Sequence, residues 1–233
     1  MKAVKTLSKM TNLLIDTVFT AVLLLGCYFA YDSWYVYHHA DLSQVRVRAA
    51  ENPGADLPRE YPENCVAWIT VYDTGIDFPI MQGKDNTEYL NKDPFGNYSL
   101  SGSVFLDSRN DRDFGDAYSL IYGHHMSGRH MFGALDDFAE EDFFDRHRKG
   151  EIVRDGVSYP LVTVAYTECE ASEEILFDPL TGKDVLSYVE KSARVFRKEG
   201  TGSLIALSTC RDTAGTGRTI LFLRYDMNGG GAE

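Results

Sequence analysis

The stretch Ser203-Leu204-Ile205-Ala206-Leu207-Ser208-Thr209-Cys210 and the later run Arg218-Thr219-Ile220-Leu221-Phe222-Leu223 decide the fold. Each is a short apolar run with β-branched residues, the composition of a strand rather than of a helix. The connection between them is short, which implies an antiparallel hairpin. In that hairpin Arg218, just before its strand, lies across from Cys210, just after its own. Working outward, the same type of run recurs at residues 66–72, 76–81, 103–106, 118–122, 151–154 and 158–166, and the hairpin runs themselves cover 203–208 and 219–225. Turn residues separate them, Asp73-Thr74-Gly75 after the first and Asp155-Gly156 as a hairpin signal further on. Helical spacing interrupts twice, from residue 131 to about 147 and from 183 to about 197, the second with Val185, Tyr188, Val189 and Val195 on one face. Short strands in this proportion predict a mostly β fold, a closed and mainly antiparallel barrel with inserted helices.

The 233 residues are 44% hydrophobic and 25% charged, which excludes a disordered or fibrous chain. The net charge of -12 excludes a partner held through phosphates, so nucleic acid is not expected. The amino end runs against this acidity. Residues 1–10 carry Lys2, Lys5 and Lys9 and no acid, and read as a basic cytoplasmic arm. Residues 11–34 are apolar apart from Asp16 and Asp32, long enough for a single membrane span, with Trp34, Tyr35 and Tyr37 at the exit. This predicts a transmembrane signal anchor. A cleaved signal peptide is the competing reading, but aromatic and His residues occupy the place of a small-x-small cleavage site. Residues 35–58 read as a helical stalk and linker, broken at Asn52-Pro53-Gly54, residues 59–227 as the barrel, and 228–233 as a flexible tail.

Cys27 falls in the apolar segment, leaving Cys65, Cys169 and Cys210 and hence an odd thiol. Cys210, at the mouth of a buried strand, suits a positioned nucleophile, although buried cysteines are common in cores. A thiol at neutral pH is only slightly ionised, so such chemistry needs a base or a cation nearby. Tyr122-Gly123-His124-His125 ends another apolar strand and offers the base; alternation along the chain leaves open which histidine faces inward. Arg218 offers the cation, able to hold a carbonyl oxygen as charge develops on it. Arg211, next to Cys210 in sequence, should point to the opposite face. A zinc site of His124, His125, His130 and a cysteine lacks the usual ligand spacing.

Taken together, Leu207-Ser208-Thr209-Cys210, the arginine eight residues on, and the upstream Tyr122-Gly123-His124-His125 resemble the sortases, most closely class B. The resemblance runs from about residue 35 to 227. It implies an eight-stranded sortase barrel and a membrane-anchored cysteine transpeptidase on the outer face of a Gram-positive cell, with no cofactor and no metal. Carried over, Cys210 is the nucleophile, His124 the general acid/base because the family places that histidine directly after the glycine, and Arg218 the oxyanion or substrate clamp. The segment 85–90 resembles one whose Asn and Leu line the groove for the sorting signal, which nominates Asn86 and Leu90. Ser208 and Thr209 would flank the scissile bond, and Ile175 would face the peptide. The implied partners are surface proteins or pilins bearing a C-terminal sorting signal, and an amine of a peptidoglycan precursor or a pilin lysine.

Two rivals differ in kind. A papain-like hydrolase would need its cysteine early and its histidine late, the reverse of the order here. A non-catalytic surface module would explain anchor, barrel and acidity but give Cys210 no reason to react. The acid-rich runs 107–116 and 136–145 read as solvated faces rather than calcium sites, Asp212 as a turn residue, and Cys65 and Cys169 as reduced core thiols.

Overall fold

The strands predicted from the sequence form β1 (Cys65–Val71), β2 (Asp77–Met81), β3 (Val104–Leu106), β4 (Tyr118–Tyr122), β5 (Lys149–Arg154), β6 (Val157–Glu170), β8 (Ser203–Cys210) and β9 (Gly217–Tyr225), and a two-residue β7 (Val195–Phe196) joins them. They come from a computed structural model that describes the backbone of residues 2–40, 62–180, 182, 184–210 and 215–225; side chains are described for 9–35, 62–180, 182, 184–209 and 215–225. The stalk beyond residue 40, the tail 228–233, Arg211 and Asp212 lie outside the described residues, and Cys210 is described by its backbone.

The strands make one sheet in the order β5-β1-β2-β3-β4-β8-β9-β6-β7, and β5 pairs again with β6. That second pairing closes eight strands into a barrel and leaves β7 outside the ring. Only β2–β3 and β4–β8 run parallel among these pairs. Closure between β5 and β6 starts at the expected tight turn, where Asp155 and Gly156 both take positive φ (50° and 79°) with Arg154 opposite Val157. That is the backbone a two-residue hairpin loop requires.

Burial explains why several strands read as unbroken apolar runs. On β8, Ile205 and Leu207 join a cluster to which every strand of the ring contributes, including Ile69, Ile80, Leu106, Ile121, Ile152, Leu161 and Leu221; this is the barrel interior. The alternate residues Leu204 and Ala206 pack on the outer face with Tyr118, Leu120, Ile220 and Phe222, under Leu176, Val185 and Val189. A strand covered on both faces has no solvent side to make polar.

The helical segments depart from the sequence expectation. Residues 131–147 do not form one helix but a 3-10 helix (Phe132–Ala139) and a short α2 (Glu141–Arg146), separated at the extended Glu140. Met131 enters with φ of 50°, and Gly133 lies so close to the Met126 carbonyl that a Cβ would sit 1.9 Å from its oxygen. The segment follows the barrel contour, with Phe132, Leu135, Phe138 and Phe144 fully buried in the interior cluster. A short α3 (Glu174–Phe177) was not anticipated. The last expected helix is α4 (Val185–Ser192), N-capped by Asp184; it stops early because Val195 and Phe196 pair with Tyr166 and Ala165 of β6.

Residues 1–39 form a unit of their own. Helix α1 (Lys2–Ala40) contains, from Lys9 to Tyr35, a stretch long and apolar enough to cross a membrane. At about 1.5 Å per residue it exceeds the roughly 30 Å of a hydrocarbon core. Leu23, Leu24 and Leu25 are each more than half exposed.

Candidate active site

Three neighbouring strands, β4, β8 and β9, bring the candidate residues to one end of the sheet. β4 and β8 pair in parallel up to Tyr122 with Ser208, and the ladder continues as Gly123 N–H donates to the Ser208 carbonyl at 3.1 Å. Beyond the last paired residues, Tyr122 and Ser208, each chain runs two residues further, to His124 and to Cys210. On the other side, Cys210 is the direct partner of Arg218. Neighbouring strands lie about 4.8 Å apart, so Cys210 has the guanidinium-bearing Arg218 directly across on β9, while β4, the strand on its other side, leads into His124. The predicted opposition of Cys210 and Arg218 is therefore present.

Parity separates the two histidines. Tyr118, Leu120 and Tyr122 of β4, Leu204 and Ala206 of β8, and Ile220 and Phe222 of β9 belong to the outer face, and His124, Cys210 and Arg218 stand at the positions that continue these alternations in sequence. His124 is half-buried and its Nε2 lies 2.8 Å from the Leu90 carbonyl oxygen. A carbonyl only accepts, so Nε2 carries a proton and Nδ1 is the ring position left for proton exchange. His125 alternates away and bonds through Nε2 to Asp136 Oδ2 at 2.7 Å. The Asp136 carboxylate is in turn reached by Thr219 at 3.5 Å. Among the described residues, no group of three or more His, Cys, Asp or Glu comes together as a metal site would require.

Arg218 is half-buried, and its Nη1 donates to the Gly217 carbonyl at 3.0 Å. Its other strand neighbour is Cys169, a partly buried thiol outside any disulfide. Cys65 is also free; burial pushes it up to about 11, which leaves it protonated at neutral pH.

The nominated peptide contacts are divided. Leu90 is exposed beside His124. Ser208 is buried on the same face as Cys210, and its Oγ has no partner among the described residues. Thr209 alternates to the interior, opposite Thr219, so its side chain does not share the face of Cys210. Asn86 is occupied at both ends, donating to Asp107 Oδ2 at 2.9 Å and accepting from Ser108 N–H at 2.7 Å. Ile175, in α3, packs against the outer-face cluster. A shallow depression of about 600 Å³ behind α3, lined by Ala171, Ser172, Glu174, Phe177 and Asp178, contains none of the nominated residues.

Sequence reasoning missed Tyr122 and Asp107. Tyr122, two residues before His124 on the same face, packs in the outer-face cluster and also beside Met81, Tyr89 and Phe105. Period-two counting back from His124 would have found it. Asp107, read as part of a solvated run, is fully buried instead, because Arg109 Nε and Nη2 bond it at 2.9 and 2.8 Å, Asn86 at 2.9 Å and the Tyr122 hydroxyl at 3.1 Å. Burial alone would raise its carboxyl, but the bonds from Arg109 and Asn86 outweigh it and hold the group below the usual carboxylate range.

No family model matches the chain. Its fold and sequence are similar to a class B sortase of Streptococcus pyogenes involved in pilus biogenesis, at 38% identity over 71% of this chain and 94% of that one, with a TM-score of 0.65. A sortase B from the type II pilus of Streptococcus pneumoniae is 34% identical over 70% of this chain and 92% of that one, with a TM-score of 0.59. Among curated relatives, the sortase B of Listeria monocytogenes is 32% identical over 157 residues, covering 64% of this chain and 63% of that protein. The chain thus spans just under two thirds of the length of the curated relatives it matches.

Proposed function

Because the chain belongs to the class B sortases, we propose that it is a membrane-anchored cysteine transpeptidase. It cleaves a C-terminal sorting signal after a Thr and transfers the protein to an amine. The observation that supports this reading is the direct pairing of Cys210 with Arg218 at the ends of β8 and β9, beside the parallel strand β4 that leads into His124. In the proposed reaction the sulfur of Cys210 attacks the Thr carbonyl carbon while its proton passes to His124. Arg218 donates to the oxygen as it becomes an oxyanion, where a fixed cation acts most strongly. His124 then protonates the departing amine, the C–N bond breaks, and a thioester joins substrate to Cys210. An incoming amine attacks that thioester, gives its proton to His124, and leaves the thiol restored once the proton returns to sulfur.

Leu90 and Ser208 would border the bound signal, and Ile175 would reach it from α3. Two relatives above 30% identity are pilus sortases, which favours a pilin lysine over a peptidoglycan amine as acceptor. Residues 11–34 act as the anchor, with the basic arm 1–10 in the cytoplasm and the barrel, residues 59–227, outside the membrane.

The test is to mix the full-length protein, in detergent, with a sorting-signal peptide and either a pilin lysine peptide or a peptidoglycan stem amine, and to follow joined product by mass. Cys210→Ala should give neither cleavage nor product, and Arg218→Ala a loss on the order of 100- to 1000-fold in rate. Full activity in Cys210→Ala would overturn the assignment.

A further inference from the structure

The imidazole of His124 is oriented by a loop rather than by a side chain, since its Nε2 partner is the Leu90 carbonyl. That carbonyl has little freedom. The preceding carbonyl, of Tyr89, accepts from Ser103 N–H at 3.0 Å. Gly102, at φ of 57°, lies directly behind, where a Cβ would come within 2.5 Å of the Leu90 oxygen. Upstream, Asn86 spans from the loop to Asp107 Oδ2 and the Ser108 N–H. Asp107 is thereby connected to the loop that orients His124. Through the Tyr122 hydroxyl at 3.1 Å it is also connected to β4, the strand that delivers His124 two residues later. Arg109 locks the carboxylate as a fork and extends to α3, donating to the Phe177 carbonyl at 2.9 Å and to Asp178 at 3.3 Å.

A buried ion pair contributes little net stability compared with apolar packing of the same volume. What a two-pronged arginine–carboxylate contact does supply is fixed geometry. Here the fixed group sits between the strand that carries an acid/base residue and the loop that aims it. We infer that Asp107, acting through Asn86 and Tyr122, is a positioning residue for His124: it sets the spacing between the imidazole and the Leu90 carbonyl that holds it in one tautomer. Asn86 is then a link in this relay. The catalytic consequence rests on the transpeptidase reading, while the effect on the ring does not.

The experiment uses the full-length chain in detergent, labelled with ¹⁵N-histidine, as wild type, Asn86→Ala and Asp107→Asn. Long-range ¹H–¹⁵N spectra report the His124 tautomer, and steady-state assays with signal peptide and amine separate kcat from KM. Asn86→Ala should lower kcat on the order of 10- to 100-fold, the scale of a small misplacement of a catalytic group. KM should stay within about twofold, the pattern of an interaction made only in the transition state. The His124 ring should pass from one Nε2–H tautomer to an average of two, and Asp107→Asn should move both readouts the same way. If Asp107→Asn does not fold, Asn86→Ala, at a partly exposed loop site, decides alone. A KM that rises with kcat kept, or a His124 ring that stays in one tautomer in Asn86→Ala, overturns the inference. Should the wild type join no peptide to any amine, the transpeptidase reading falls, and the tautomer measurement still decides this one.

Discussion

Asp107 stays charged at zero exposure because Arg109, Asn86 and Tyr122 supply the hydrogen bonds that water would have made. Its folded-state value is depressed, so on acidification the unfolded chain takes up this proton first. The stabilisation is complete above the ordinary carboxylate value of about 3.9 and is lost as pH falls through the lower folded value. Asp107→Asn should therefore cost about 1–3 kcal/mol at pH 7, the scale of hydrogen bonds to a buried charged group. Denaturant unfolding of both proteins at a series of pH values should show that gap shrinking below about pH 4. A gap that stays constant down to pH 2 would mean that the charge of Asp107 does not hold this cluster together. No local signal marks the residue: an acid ending the strand Val104–Leu106 looks solvated until Arg109 and Asn86 are seen to converge on it.

At the scale of elements, the end of β4 is the part least tolerant of change. A Cβ on Gly123 would meet Phe132 Cδ2 at 2.6 Å, and that fully buried ring packs edge-on to Phe78 at 6.3 Å between centroids. Gly123→Ala should lose about 1–3 kcal/mol from overpacking and depress transpeptidation as well, because His124 is the next residue. Gly156→Ala is the control, with positive φ but nothing within 4 Å of the new Cβ; it should lose about 1 kcal/mol from backbone strain and keep its activity. Equal activity loss in both variants would contradict the role given to the β4 end. The strands were legible in the sequence because burial on one or both faces writes itself into apolar runs. The segment 131–147 was not, because Phe132, Leu135, Phe138 and Phe144 satisfy helical spacing while the close contact of Gly133 with Met126 and the turn at Met131 arise from the fold around it.

At the scale of the molecule, the site depends on pairings of different visibility. The opposition of Cys210 and Arg218 was readable, since a short connection between two apolar runs leaves few registers. The different surroundings of His124 and His125 were not readable from alternation, because the Leu90 carbonyl beside one and Asp136 beside the other come from segments distant along the chain. Eight-strand closure likewise depends on β5 meeting both β1 and β6, of which only the hairpin at Asp155-Gly156 has a local signature. The central claim is that these pairings make Cys210 an acyl acceptor. Its most direct test is to incubate the full-length protein with a sorting-signal peptide and no amine, quench with acid, digest, and weigh the cysteine-containing fragments. The fragment with Cys210 should gain the mass of the acyl portion ending in Thr, and lose it when an amine is added before quenching. The fragment with Cys65, whose thiol burial holds at about 11, should stay unmodified. An unmodified Cys210 beside cleaved peptide, or acyl mass on another cysteine, would contradict the account.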